Sequence, residues 1–175
     1  MPTDPRSAPG ANTSNACTDA LELLASRQER TRALADRCRR CARCLAPEDA
    51  GQESMRQCAE TLCRAIGRMA ALEEELLFPA ARAALDSPSL VDLAQLEHAT
   101  ARQIIARMAL AEPADARYDA LVLALVDCVE RHACHEQDRL FPRLRESNLD
   151  MTELGRRLRQ RLGEQALAED AVQPH

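Results

Sequence analysis

Residues 126–142, VDCVERHACHEQDRLFP, decide how the chain is read. His132 and Glu136 stand four residues apart, with Cys128 and His135 on neighbouring lanes of the same expected helix. Side chains at i and i+4 lie one above the other on one helical face. A histidine and a carboxylate in that register can grip one metal ion from a single rigid element. Residues 62–82, LCRAIGRMAALEEELLFPAAR, repeat the layout: an acid cluster, then hydrophobic residues, then Phe-Pro. Matching Phe78-Pro79 to Phe141-Pro142 sets Glu73 opposite Glu136 and Met69 opposite His132. The sequence therefore reads as two copies of a metal-binding helix, the earlier one with its histidine replaced.

Working outward, the chain divides at its prolines and polar runs. Residues 1–18 are rich in Pro, Ser, Thr, Asn and Gly and read as a disordered tail. A first helix is expected from Asp19 to about Cys44, with Thr18 or Asp19 as its cap. Its inward stripe is Leu21, Leu24, Gln28, Thr31, Ala35 and Cys38, which aims the polar Gln28 at the core. A turn containing Pro47 leads to a second helix, about Gln52 to Leu85, with Met55, Cys58, Leu62, Ala65, Met69, Leu72 and Leu76 facing inward. The third, about Leu90 to Ala111, carries Ala94, His98, Arg102, Ile105 and Ala109 on one face. The fourth, about Ala116 to Leu140, points Leu121, Leu125, Cys128, His132, His135 and Glu136 inward. A short amphipathic helix, about Met151 to Leu162, and a loose polar end complete the chain. No stretch of any length reads as a strand. The expected fold is all-α: an up-down-up-down four-helix bundle over residues 19–146, with a short extra C-terminal helix and loose tail over 147–175.

Composition agrees with that architecture and narrows the function. The 175 residues suffice for one domain and a substantial core. Hydrophobic residues make up 46% but aromatics 2%, so the core must be built of Leu, Ala, Ile, Val, Met and Cys, as a slim helical bundle requires. The net charge of −5 gives no electrostatic case for nucleic acid or an anionic membrane. Every basic residue is Arg, a pattern that codon bias explains. No apolar run approaches the ~20 residues of a membrane span. The first residues lack the basic start and apolar core of a secretory signal, so a cytoplasmic location is expected. There, the eight cysteines are better read as thiols, metal ligands or redox groups than as structural disulfides. No nucleophile–base arrangement or phosphate-binding loop is present, which speaks against a hydrolase or transferase.

The pattern resembles the hemerythrin-like, HHE cation-binding family over about Asp19 to Leu162, including DALELL at 19–24, LEHAT at 96–100 and LDMTELGRRL at 149–158. The resemblance implies a four-helix bundle around a non-haem di-iron site. It also implies a ligand set of one His on the first helix, His-x-x-x-Glu on the second, one His on the third and His-x-x-x-Glu on the fourth. Carried over, these positions are Gln28, Met69 with Glu73, His98, and His132 with Glu136. Both losses are histidines on the first two helices. The resemblance implies that those helices serve one iron and the last two helices the other, with the glutamates bridging. What remains is His98, His132, Glu73 and Glu136, a set suited to one Fe(II), Mn(II) or Zn(II). Gln28 and Met69 read as relics, a hydrogen-bond partner and a core filler. His135, next to the ligand lane, is a candidate replacement ligand. Arg102, one turn from His98, could neutralise a glutamate.

Each of these residues also has a plainer reading. An i,i+4 His–Glu pair can be a solvated couple, His98 a satisfied core histidine, and Glu73 one member of a solvated acidic run. The cysteines form a second signal outside the family pattern. Cys38, Cys41 and Cys44 make CxxCxxC at the end of the first helix, and a hairpin closing near Pro47 sets Cys38 level with Cys58. Such thiols suit an iron–sulfur cluster, zinc or copper(I), a redox-active dithiol, or inert burial in the core. Cys63 and Cys128 lie nearer the histidine layer. Cys17 falls in the tail, and Cys134 turns away from the core.

Three functional readings follow. The first is a metal protein, non-haem iron foremost, that senses oxygen, nitric oxide or redox state or handles iron, its partners being a metal ion or small gaseous ligand. The second is a cysteine-centred protein on a helical scaffold. The third is a metal-free interaction protein, with a protein partner or a second copy of itself.

Overall fold

A computed structural model describes residues 19–43, 48–112 and 116–172. The expected tail at 1–18 with Cys17, the Pro47 turn with Cys44, the break at Pro113 and the last residues 173–175 lie outside the described residues. The helices are α1 (Ala20–Arg43), α2 (Glu48–Leu72), α3 (Phe78–Ala84), α4 (Ser89–Met108), α5 (Ala116–His135), α6 (Phe141–Glu146) and α7 (Met151–Val172). Two π-helical turns, Glu73–Leu77 and Glu136–Leu140, join α2 to α3 and α5 to α6 without a break. The result is four long rods and a fifth, C-terminal helix, with no strand among the described residues. None of these helices is long and apolar enough to cross a membrane. α1 packs on α2 and α5, and α4 packs on α5.

The π turns have a cause in the sequence. Proline lacks an N–H, and its ring clashes with the carbonyl four residues back. Pro79 and Pro142 each follow a π turn, in which the N–H of Phe78 reaches back to the Glu73 carbonyl and that of Phe141 to the Glu136 carbonyl. The extra residue widens the buried face, so that Leu72, Glu73, Leu76, Leu77 and Phe78 are all inside. Glu136, Leu140 and Phe141 are buried in the same way. The repeated acid-to-Phe-Pro spacing is thus a repeated π turn that opens on a buried glutamate. Such turns gather at functional sites.

Two apolar clusters fill the interior. One holds Leu21, Leu24, Leu76, Phe78, Phe141 and Leu158, and the other holds Ala35, Cys38, Leu62, Tyr118, Val122 and Leu125. The stripe expected for α1 is buried throughout, Gln28 included. On α4 the expected face is rotated. Arg102 and Ala109 are exposed, whereas Val91, Ala94, Glu97, His98, Ala101 and Met108 are inside. Alternating steps of three and four residues track the 3.6-residue period better than the repeated steps of four in the expected face.

Asp19 caps α1, accepting from the Leu21 N–H at 3.0 Å, and Asp150 caps α7, accepting from the Glu153 N–H at 2.9 Å. α7 runs past the expected end at Leu162 to Val172. Its first half docks through Leu154 and Leu158, which are 3% and 0% exposed, while Leu167 is 72% exposed. Helix-favouring Ala, Glu, Gln and Leu continue the helix beyond its docked part. Truncating Leu158 to alanine should cost about 2–5 kcal/mol. Amide hydrogen exchange along 151–172 should then speed up while that in α4 and α5 stays slow. Unchanged protection in α7 would show that the helix does not depend on this anchor.

Candidate metal centre

The polar residues on the bundle interior form one layer between the two apolar clusters. Glu73, at the start of the first π turn, is 0% exposed, and its Oε2 lies 3.0 Å from His98 Nε2 and 3.2 Å from His132 Nε2. One oxygen thus meets two imidazoles from two other helices. Each histidine is held from behind by a second carboxylate. His98 Nδ1 lies 2.9 Å from Glu74 Oε1, and His132 Nδ1 lies 3.1 Å from Glu97 Oε2. Arg102 in turn donates to Glu74 Oε1 at 2.7 Å. The rings pack as well, with centroids 4.8 Å apart for His98 and His132 and 5.2 Å apart for Phe78 and His98.

Glu136 lies beside this group, with Oε1 3.8 Å from His132 Nε2. Its Oε2 accepts a hydrogen bond of 2.5 Å from Gln28 Nε2, and Gln28 Oε1 accepts from Gln137 Nε2 at 2.8 Å. Met69 is buried and contributes a thioether to the wall of an adjoining cavity. That cavity, about 40 Å³, is bounded chiefly by apolar atoms, with Gln28, Ala101, Cys128, Val129, His98 and His132 among its lining.

Burial and pairing pull these groups in opposite directions. Burial pushes the Glu73 carboxyl up, but hydrogen bonds from His132 and His98 outweigh it and hold it at about 2. Burial pushes His132 down, but the hydrogen bonds to Glu73 and Glu97 leave it well above its ordinary value. Glu136 is pushed well up, first by burial and then by the charge on Glu73. The pairing thus favours the anionic form of Glu73, while burial and that charge favour the neutral form of Glu136.

Glu73, His98 and His132 each offer one ligand atom, and these atoms lie within 4.8 Å of one another. No other such group of three is present among the described residues. The buried Glu73 Oε1 and Glu136 Oε1 have no hydrogen-bond partner. Two orphaned carboxylate oxygens beside two imidazoles form a donor set that a divalent cation fits. A metal that displaces the Nε2 protons would find each imidazole backed at Nδ1 by a carboxylate, the usual support for a metal-ligating histidine.

Of the residues singled out from sequence, Glu73, His98 and His132 converge, and Glu136 adjoins them. His135 lies outside that group, with Nδ1 3.3 Å from Glu97 Oε2, the same oxygen that backs His132. Among the cysteines, Cys128 lines the cavity and hydrogen-bonds the Glu97 carbonyl at 3.8 Å, whereas Cys38, Cys41 and Cys58 lie together in the other apolar cluster and Cys134 is exposed. Sequence reasoning missed Glu74 and Glu97. Glu74 was hidden in an acidic run. Glu97 directly precedes His98, and the expected face of α4 left it outside.

A family model described as the hemerythrin HHE cation binding domain matches residues 19–144. No curated protein and no solved structure matches the chain.

Proposed function

We propose a function from the premise that this chain belongs to the hemerythrin HHE cation-binding domain family. It binds one divalent metal ion, ferrous iron foremost, through Glu73, His98 and His132, with Glu136 as the adjoining carboxylate. The convergence of both Nε2 atoms on Glu73 Oε2 carries this reading. Gln28 and Met69 argue for a single ion. The Gln28 amide offers Glu136 an N–H where a second ion would need a lone pair, and a thioether is a poor ligand for a hard cation.

Bound iron would supply an open coordination position for a small ligand such as oxygen or nitric oxide. The protein groups do the rest. Glu74 and Glu97 hold the Nδ1 protons of His98 and His132 and fix both rings. The cavity of about 40 Å³ next to His98 and His132, bounded chiefly by apolar atoms, offers room for a small ligand. From this we assign the protein to oxygen, nitric oxide or redox sensing, or to iron handling. A reducing compartment such as the cytoplasm would keep its thiols in their free state.

Anaerobic calorimetric titration of the full chain with Fe(II) tests the site. One ion per chain, lost in His132→Ala, is expected; absence of binding sinks the proposal. Glu97→Gln tests the support behind His132. Loss of a carboxylate behind a ligating imidazole weakens metal affinity about 10–100-fold, with stoichiometry unchanged. An affinity equal to that of the parent would remove Glu97 from the account.

A further inference from the structure

Two spaces in the bundle meet at Met69. Thr31 of α1 and Met69 of α2 are part of the wall of the cavity beside His98 and His132. The same two residues line a cleft of about 330 Å³ where α1, α2 and α7 come together. The wall between cleft and cavity is thus one side chain thick at this point. Thr31 is its fixed part, since the side chain is branched at Cβ and its Oγ1 donates to the Arg27 carbonyl at 3.1 Å. Met69 is its movable part. It is 6% exposed, and an unbranched side chain with three rotatable bonds adapts to irregular space. Arg27, Arg30 and Arg68 line the cleft, together with Leu162 and Gln165 of α7. None of the described residues lining it is acidic.

We propose that this cleft is the entrance by which small anions reach the metal cavity, with Met69 as its gate and the three arginines as the groups that draw the anion in. A cleft lined by one sign of charge raises the local concentration of the opposite ion and its rate of entry. At the inner end the sign reverses, because Glu73, Glu97 and Glu136 gather around the histidines. A divalent ion held there offsets those carboxylates and gives the anion its destination, and in this the entrance depends on the metal site proposed above. Dioxygen and nitric oxide, being uncharged, gain nothing from the arginines, whereas an ion such as azide or nitrite does. Rotation of the Met69 side chain opens the passage without moving either helix.

The probe is azide, added by stopped flow to the Co(II)-loaded full chain and followed by the visible absorption of the cobalt. A gate changes entry and exit by one factor and leaves the dissociation constant in place. Met69→Ala should speed both rates by about tenfold, which corresponds to a barrier lower by about 1.4 kcal/mol. Met69→Ile keeps the volume but branches the side chain at Cβ, and should slow both. Arg30 is exposed, so Arg30→Glu leaves the packing intact. It should slow azide entry about threefold or more at low salt, an effect that fades as salt is raised.

Access is also read without metal, through Cys128, whose thiol lines the cavity and is 2% exposed. Labelling of the metal-free chain with methyl methanethiosulfonate is followed by mass spectrometry of the tryptic peptide 118–131, in which Cys128 is the one cysteine. Met69→Ala should quicken it about tenfold. Labelling of peptide 57–64, which carries Cys58 and Cys63 of the other apolar cluster, should keep the parent rate. Azide rates equal to the parent's in both Met69 variants overturn the gate, as does a changed dissociation constant without matched rates. So does Cys128 labelling that stays at the parent rate or rises only together with that of peptide 57–64. Azide entry indifferent to Arg30→Glu and to salt overturns the role of the arginines. A chain that holds no Co(II) contradicts the metal site instead, and the labelling then decides the entrance.

Discussion

Glu73→Gln is expected to weaken Fe(II) or Co(II) binding to the full chain by more than about 100-fold, beyond the range seen when outer carboxylates are removed. The substitution keeps the shape of the side chain and deletes its charge. It acts strongly because the Glu73 carboxylate is completely buried and its Oε2 faces both His98 Nε2 and His132 Nε2. An amide oxygen is a weaker donor to a hard cation, and its N–H₂ would oppose one. Titration with Co(II), followed by its visible absorption, reads the change, and far-ultraviolet circular dichroism checks that the bundle is retained. Parent-like affinity in a folded Glu73→Gln chain would remove this residue from the ligand set.

Phe78→Ala should lower stability by about 3–5 kcal/mol, the usual range for deleting a buried aromatic ring. For a chain of this size each kcal/mol moves the melting temperature by roughly 2–4 °C, so a fall of about 10 °C is expected. Phe78 is 1% exposed and packs among Leu72, Leu76 and Leu77 at the end of the first π turn. It also contacts the His98 ring, with centroids 5.2 Å apart. Metal affinity should therefore fall together with stability. Thermal denaturation of the metal-free protein measures the first effect, and a loss under about 1 kcal/mol would contradict the burial seen here.

Much of this was legible in the sequence, for definite reasons. The α1 stripe from Leu21 to Cys38 obeys the helical period and is buried at every position, because its apolar residues recur at steps of three and four. Gln28 was legible as an inward-facing polar group from the same register, and its bond to Glu136 explains its burial. Cys38 and Cys58, expected level with each other from a hairpin closing near Pro47, are both buried in one apolar cluster. The π turns were not legible from periodicity, since one extra residue breaks the 3.6-residue count where the two glutamates sit. Phe-Pro beginning five residues after Glu73 and after Glu136 is their mark in the sequence. Glu97 escaped because its neighbour His98 was read as the inward residue, although a face centred between them buries both. Where His135 would fall relative to the centre depended on the position of the Glu97 carboxylate, which no spacing along one helix reveals.

The central claim is a single divalent ion held by Glu73, His98 and His132, where the family resemblance implies two irons. The most direct measurement is the Mössbauer and electron paramagnetic resonance spectra of the full chain loaded with iron under anaerobic conditions, alongside its iron content. The account predicts one high-spin, magnetically isolated iron per chain, which becomes paramagnetic and visible by resonance on oxidation. Two irons per chain forming an exchange-coupled, resonance-silent oxidised pair would contradict it, and would show that Gln28 and Met69 do not prevent the second ion from binding.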